Sequence, residues 1–520
     1  MKKTVRPGVI FIWILFAAGI ILFLIPQISP VINPAKWDEY IVTFDAQRLL
    51  YGQVPYRDFF NFIPPGSFYL LASIFVLFGK GSLAVSRLIS LVTVVGGSAF
   101  FASALHRSGW GRSRAFLLAA VYPVCLYPFW AVVSHHWFAV LFAMIFLWAA
   151  AGRKEDGGWG VPLLLGLAAG ASLLFLQTVG LYLAVAALLV VLLWGTGKPR
   201  VRDLAALSFG WLLPILAGVL PLVFLGAGPK MFHDLVVWPS HNYSKPGSDN
   251  ARLPLSGLGA RLDAIWHPGP GHPPWQWVPF AAAGTLLYLA ILAGAGLVLF
   301  LAARTLYRMI KTRTSAPGLE TAACLLTFLS AGLYLKGRPD WLHLIYLLAF
   351  LGPLWLVALG RGASARGRRW TLALALLLLV CGGLYQDRRA WFHFPALREI
   401  TDPDYPVRNS SVNRFLRSHL HPGQSVAAFP EGGEVYLYNG YPACGYTFFM
   451  PPSADYNSEK DNQTVAGQLE ASRPRWIVMT DSLAPDYLDP ASPVGRLIRK
   501  HYVRSRVIGH AVFFVRKDRW

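Results

Sequence analysis

Residues Val9 to Ile25 read VIFIWILFAAGIILFLI, a stretch without a single charge. As a helix it is about 26 Å long, close to the roughly 30 Å of a bilayer's hydrocarbon core. Lys2, Lys3 and Arg6 precede it and no small-residue cleavage site follows, so it reads as an uncleaved first span with its basic end in the cytoplasm. Apolar runs of about 17 to 25 residues, the length a span requires, recur as far as Leu384. The 520-residue chain is 55% hydrophobic and 14% charged, where soluble proteins carry about 25% charged residues. A soluble multidomain enzyme is excluded, and the composition predicts a polytopic α-helical membrane protein.

The positions of the cations set the topology. Arg107, Arg112 and Arg114 follow the second span, Arg153 and Lys154 the fourth, and Lys198, Arg200 and Arg202 the sixth. Arg304, Arg308, Lys311 and Arg313 follow the eighth, and Arg361, Arg366, Arg368 and Arg369 the tenth. A basic cluster at every even boundary predicts about eleven transmembrane helices, with the amino terminus inside and the carboxyl terminus outside. The run from Leu163 to Trp194 is interrupted only by Gln177-Thr178. The net charge of +21 is thus a matter of membrane orientation, and no nucleic-acid partner is expected. Acids and histidines fall mostly in outer segments, which disfavours cytosolic nucleotide chemistry. Four cysteines, three of them in apolar segments, offer no CxxC pair.

Residues 1–385 form the expected transmembrane module, with large outer loops at 27–80 and 226–276. From 386 to 520 the composition turns polar and predicts a small extracytoplasmic α/β domain. Its expected elements are helices at Asn413 to Leu420 and Val494 to Tyr502, and strands at Ser425 to Ala428 and Trp476 to Met479. A hairpin closes on Gly509-His510. Glu431 to Glu434 lies on a turn that is a candidate for acceptor contact.

The first outer loop carries the densest chemistry. Trp37-Asp38-Glu39-Tyr40 comes soon after the first span, placing two carboxylates near the membrane surface. Ile41, Phe44, Ala46, Leu49 and Leu50 alternate with Thr43, Asp45, Gln47 and Arg48 in a pattern that predicts an amphipathic helix along the interface. Asp38 and Asp45, seven residues apart, share a face of it. Gly52 ends the helix, and Pro64-Pro65-Gly66 breaks regular structure before the second span. The acidic pair has two readings. It is a solvated cap, or Asp38 takes the proton of an acceptor hydroxyl or amine that attacks a lipid-linked donor, with Glu39 beside it.

At these residues the sequence resembles the GT-C class of membrane glycosyltransferases, in the branch of the protein O-mannosyltransferases and the aminoarabinose transferase of lipid A. The resemblance rests on Asp38-Glu39, on Gly52 to Phe60, and on Pro64-Pro65-Gly66 leading through Tyr69 to Phe78-Gly79. It covers about the first 90 residues at the level of motifs, and the rest of the chain in overall plan. It implies an inverting transfer of a sugar from a polyprenyl phosphate to an acceptor on the outer face, with Asp38 as base or acceptor-orienting group. One departure stands out. Members of that branch carry an acid and a lysine before the Pro-Pro pair, where this chain has Phe62-Ile63. Arg57 is the candidate replacement cation, its rival role being a salt bridge to Asp58 or Asp45.

Other outward candidates follow. Lys336-Gly337-Arg338-Pro339-Asp340 forms a short outer turn in which Arg338 and Lys336 either clamp the donor phosphate or anchor helix depth, with Asp340 as partner and His343 one turn below. His135 and His136 occupy a tight outer turn; their adjacency argues against a metal, and they are candidates for sugar contact along with Asp45 and Asp58. Asn242-Tyr243-Ser244 and Asn462-Gln463-Thr464 match N-glycosylation acceptors.

The expected function is a mannosyltransferase-like membrane glycosyltransferase of the cell envelope, in a bacterial inner membrane. A lipid, protein or polysaccharide would be its acceptor. No cofactor is required by the sequence, and a divalent cation is left open. The rival readings are a transporter of polyprenyl-linked glycans and a non-catalytic envelope assembly subunit. Few ionisable residues inside the spans count against the transporter.

Overall fold

The computed structural model describes residues 24–29, 37–78, 81–152, 158–193, 201–242, 262–263, 265–267, 274–312, 318–336, 365–386, 402, 404–421, 423–454 and 456–519. Helices dominate the first two thirds. The loop helix α1 (Trp37–Leu50) is followed by α2 (Gly66–Phe78), α3 (Leu83–Arg107), α4 (Arg112–Val121) and α5 (His135–Ala151). Then come α6 (Gly160–Leu173), α7 (Gln177–Leu193), α8 (Val201–Phe224), α9 (Pro274–Thr312), α10 (Gly318–Lys336) and α11 (Ala365–Gln386). Three segments among the described residues, Leu83–Arg107, Val201–Phe224 and Trp277–Arg308, are long and apolar enough to cross a membrane. Shorter apolar helices accompany them. Most of the expected first span and all of the tenth lie outside the described residues. The run from Leu163 to Trp194 divides into α6 and α7, which meet at residues 174–176.

Small residues set the helix spacing. A Cβ on Gly166 would stand 2.2 Å from the Leu207 carbonyl oxygen, one on Gly170 2.2 Å from that of Trp211, and one on Gly210 2.4 Å from that of Leu163. Backbone therefore meets backbone along the α6/α8 contact, the close approach that small residues permit between apolar helices.

The carboxyl-terminal part contains the expected sheet unit. Its helices are α12 (Ser411–His419), α13 (Gly433–Asn439), α14 (Glu459–Ser472) and α15 (Pro493–His501). Strands β1 (Ser425–Phe429), β2 (Tyr441–Pro442), β3 (Trp476–Thr480), β4 (Tyr502–Ile508) and β5 (Ala511–Arg516) form one sheet in the order β2-β1-β3-β5-β4. The first three strands run parallel, and β5 joins β3 and β4 antiparallel. Both faces are covered, because side chains alternate along each strand. Val426, Ala428, Val478 and Phe513 pack on one face with Phe415, Val435 and Tyr436. Ala427, Ile477, Met479 and Phe514 pack on the other with Val465, Leu469, Val494 and Ile498. Each face also receives a side chain from the outer loops: Phe44 of α1 joins the first, and Phe60 and Trp238 join the second.

That docking corrects the reading of α1 as an interfacial amphipathic helix. The helix forms where its spacing places it and Gly52, with φ +76°, follows its end. Its polar side does not meet water, however: Thr43, Asp45, Gln47 and Arg48 are 0%, 0%, 6% and 1% exposed. Contacts from the sheet unit and from the loop at Asn61 cover that side. The asparagines of the two glycosylation motifs are tied to backbone. Asn242 and Asn462 are buried, and their amide nitrogens donate to the carbonyls of Trp238 and Ser458.

Replacing Gly170 by leucine should force α6 and α8 apart. We expect a lower melting temperature and poor recovery from detergent, whereas leucine at Gly294, whose Cβ position is open, should be tolerated. Equal melting temperatures for the two variants would contradict the backbone contact.

Candidate functional site

Helix α1 opens on Trp37-Asp38-Glu39, two acids in its first turn where the helix dipole favours them. Glu39 is fully buried and is matched by an equally buried Arg87 from the second span, α3. Arg87 Nε and Nη2 each donate to a different Glu39 oxygen at 2.7 Å, a bidentate pair. The same Glu39 Oε1 accepts the Val133 N–H at 3.3 Å, and Arg87 Nη1 donates to the Ile28 carbonyl at 3.0 Å. One ion pair thus ties together the end of the first span, α1, α3 and the turn before α5. Asp38 is partly exposed at the edge of this knot.

Val133 leads directly into the histidine pair. Ser134 caps α5 by accepting the His136 N–H, and His135 and His136 are 8% and 6% exposed, with ring centroids 4.2 Å apart. The structure therefore brings the Asp38-Glu39 pair and the His135-His136 turn to one place. Among the described residues, no group of three or more His, Cys, Asp or Glu side chains is arranged to hold a metal ion.

Asp45 lies about 10 Å further along α1 and belongs to a second polar cluster. Its Oδ2 accepts from Asn61 Nδ2 at 2.5 Å, its Oδ1 from Thr447 Oγ1 at 2.6 Å, and Arg48 Nε stands 3.6 Å away. Arg48 also donates to the Cys444 carbonyl at 3.3 Å and lies over the Phe59 ring, 4.7 Å from its centroid. Burial pushes the Asp45 carboxyl up to about 6, against the opposing pull of Arg48 and the two hydrogen bonds. Glu434 accepts from Asn413 at 3.0 Å and from the Tyr40 hydroxyl at 3.4 Å, and Glu431 is half-buried near it. Burial raises both carboxyls. The turn expected to face an acceptor is thus packed against α1.

The third cluster is at the surface. Arg57 and Asp58 form the exposed salt bridge anticipated as Arg57's rival role, through two hydrogen bonds of 2.8 Å. Arg57 holds the Asp58 carboxyl below its usual range. Arg57 Nη1 also donates to the Leu225 carbonyl at 3.2 Å, joining the two large outer loops. In the second loop, the 1%-exposed Asp234 bonds His233 Nδ1 at 3.0 Å, and burial pushes its carboxyl up to about 6. Phe62, at the position of the departure from the family pattern, stacks on Trp238 at 5.2 Å, so aromatic surface fills that place.

Arg338, Asp340 and His343 lie outside the described residues, and Lys336 ends α10 with its side chain likewise undescribed. Sequence reasoning missed Arg87, Asn61 and Thr447. Arg87 left a usable signal, a lone cation within an apolar span. Thr447, 402 positions from Asp45, and Asn61, 16 positions from it, left none, since nothing local marks a polar residue that will meet a carboxylate in another segment.

No family model and no curated protein matches the chain. Solved structures do. The crystal structure of ArnT from Cupriavidus metallidurans bound to undecaprenyl phosphate aligns with 98% of this chain and 98% of its own, at 13% identity and a TM-score of 0.53. The apo ArnT structure from the same organism aligns over 96% and 97%, with the same identity and TM-score. The chain shares the ArnT fold. The likeness in fold runs over nearly the full length of both chains. Within that fold, Leu83–Arg107, Val201–Phe224 and Trp277–Arg308 are the segments long and apolar enough to cross a membrane.

Two measurements test the clusters. Arg87→Met should cost about 3 to 5 kcal/mol by leaving Glu39 buried alone, and adding Glu39→Gln should recover most of the lost melting temperature. A double variant as unstable as Arg87→Met would refute the pairing. Asp45 binds its proton more tightly in the fold than in the unfolded chain. Its contribution is therefore fully present below about pH 4 and is lost as pH rises toward about 6. Denaturation of wild type against Asp45→Asn should show wild type losing on the order of 2 to 3 kcal/mol relative to the variant across that window. A difference that does not change with pH would contradict this.

Proposed function

We propose that this protein is a membrane glycosyltransferase that moves a sugar from a polyprenyl-phosphate carrier to an acceptor on the extracytoplasmic face of a bacterial inner membrane. The observation that carries the reading is the start of α1. Glu39 is committed to Arg87, while its neighbour Asp38 is partly exposed at the same knot. An acid next to a buried ion pair is held in a defined position, which is what a base or orienting group needs. The ArnT fold supports the reading, and one ArnT structure has undecaprenyl phosphate bound.

In the proposed step, an acceptor hydroxyl or amine attacks the anomeric carbon as the bond from that carbon to the phosphate oxygen breaks. The electron pair leaves with the lipid phosphate, and the acceptor's proton passes to Asp38. One in-line displacement inverts the anomeric centre. Lys336 and Arg338 stabilise the leaving phosphate, assisted by Arg57 at the junction of the outer loops. The basic loops support a topology with Asp38, the large loops and the sheet unit on the far side of the membrane. His135, His136, Asp58, Asp340 and His343 complete the surroundings of donor and acceptor, while the fully buried Asp45 fastens the loop helix to Thr447.

Asp38→Asn should abolish sugar transfer from a polyprenyl-phosphate donor in detergent while leaving membrane insertion and melting temperature close to wild type. Near-wild-type turnover in that variant would remove Asp38 from the mechanism. Carrier movement across liposomes without donor cleavage would replace the enzyme by a transporter.

A further inference from the structure

In the sheet unit, α14 and α15 leave between them an open cleft of about 830 Å³. This is within the roughly 300 to 1,000 Å³ typical of small-ligand sites. Glu470 and Asn462 of α14 line it, with Asp489, Arg496 and Lys500 from the segment that includes α15, and no Trp, Tyr or Phe does so. Among the described residues, none of these acids and bases is in an ion pair. Carboxylates and cations share the cleft without neutralising one another. Asn462 is 8% exposed; its amide nitrogen donates to the Ser458 carbonyl at 3.0 Å, and its Oδ1 has no hydrogen-bond partner among the described residues.

The floor adds an independent observation. Gly467 lies in the interior of α14 and lines the cleft. Glycine weakens a helix interior relative to alanine, so it needs a reason there. The usual ones are missing: its φ is not in the left-handed region, and a Cβ built on it meets nothing within 4 Å. What glycine does provide is clear space above the helix, inside the cleft.

The walls select the ligand. Three carboxylates, Glu459, Glu470 and Asp489, oppose an anion, while Arg496 and Lys500 oppose a cation, and the polar lining offers little to an apolar molecule. A neutral ligand rich in hydroxyls suits both kinds of wall, since each hydroxyl donates to a carboxylate or accepts from a cation. We propose that this cleft is a saccharide subsite that holds the sugar chain of the acceptor. The acceptor role rests on the glycosyltransferase reading; the saccharide chemistry does not.

The test uses the full-length protein in detergent, fluorescently labelled, on an array of neutral oligosaccharides. Wild type and Gly467→Ala should bind, the latter with a raised melting temperature. Gly467→Trp, which fills the cleft, should lose binding by about tenfold or more. The exposed charge reversals Glu470→Lys and Lys500→Glu should do the same, and they decide the matter if the tryptophan variant folds poorly. An array on which wild type retains no oligosaccharide, or on which the plugged and reversed variants bind like wild type, overturns the subsite. Cleavage of a polyprenyl-phosphate sugar is measured separately. Saccharide binding without donor cleavage leaves the subsite standing and removes the transferase reading; cleavage with an empty array does the reverse.

Discussion

A charge removed from water must find its opposite, and in this protein Glu39 and Arg87 meet that requirement for each other. Both are fully buried, and each of the two main bonds between them is 2.7 Å long. Once desolvated, such a pair cannot be pulled apart without stranding a charge in an apolar interior. The elements that contribute to it, namely α1, α3, the end of the first span and the turn at Val133, are therefore fixed relative to one another. The His135-His136 turn follows from Val133, and the edge position of Asp38 follows from Glu39. The proposed chemistry depends on that order of cause.

A second set of contacts extends the constraint to the sheet unit. Asp45 and Arg48 are held by Thr447 and by the Cys444 carbonyl, while Phe44 enters one sheet face and Phe60 with Trp238 enters the other. The loop helix is thus shared between the membrane module and the carboxyl-terminal unit. Its raised carboxyl at Asp45 is the electrostatic consequence of being covered on both sides. The sheet unit also carries the α14/α15 cleft.

Much of the local structure was legible in the residues. Short apolar runs and the Gly509-His510 turn placed β1, β3 and the closing hairpin to within a residue or two, because those signals are local, while the two-residue β2 carried none. The spacing of α1 was legible for the same reason. Its environment was not, because Thr43, Asp45 and Arg48 look alike whether they face water or a partner 400 residues away. Arg87 lay between: its presence in an apolar span was visible, its commitment to Glu39 was not. The turn from Glu431 to Glu434, a candidate for acceptor contact, is packed on Tyr40, a contact with no local signature.

By itself, then, the sequence determined the membrane class, the loop helix and the alternating strands, since hydropathy, periodicity and turn chemistry act over a few neighbouring residues. Only the tertiary structure decided which charges are paired, which polar face is covered, and where a cleft is left open. Those outcomes depend on desolvation and packing between segments distant in the chain, and neither quantity is carried by any residue alone.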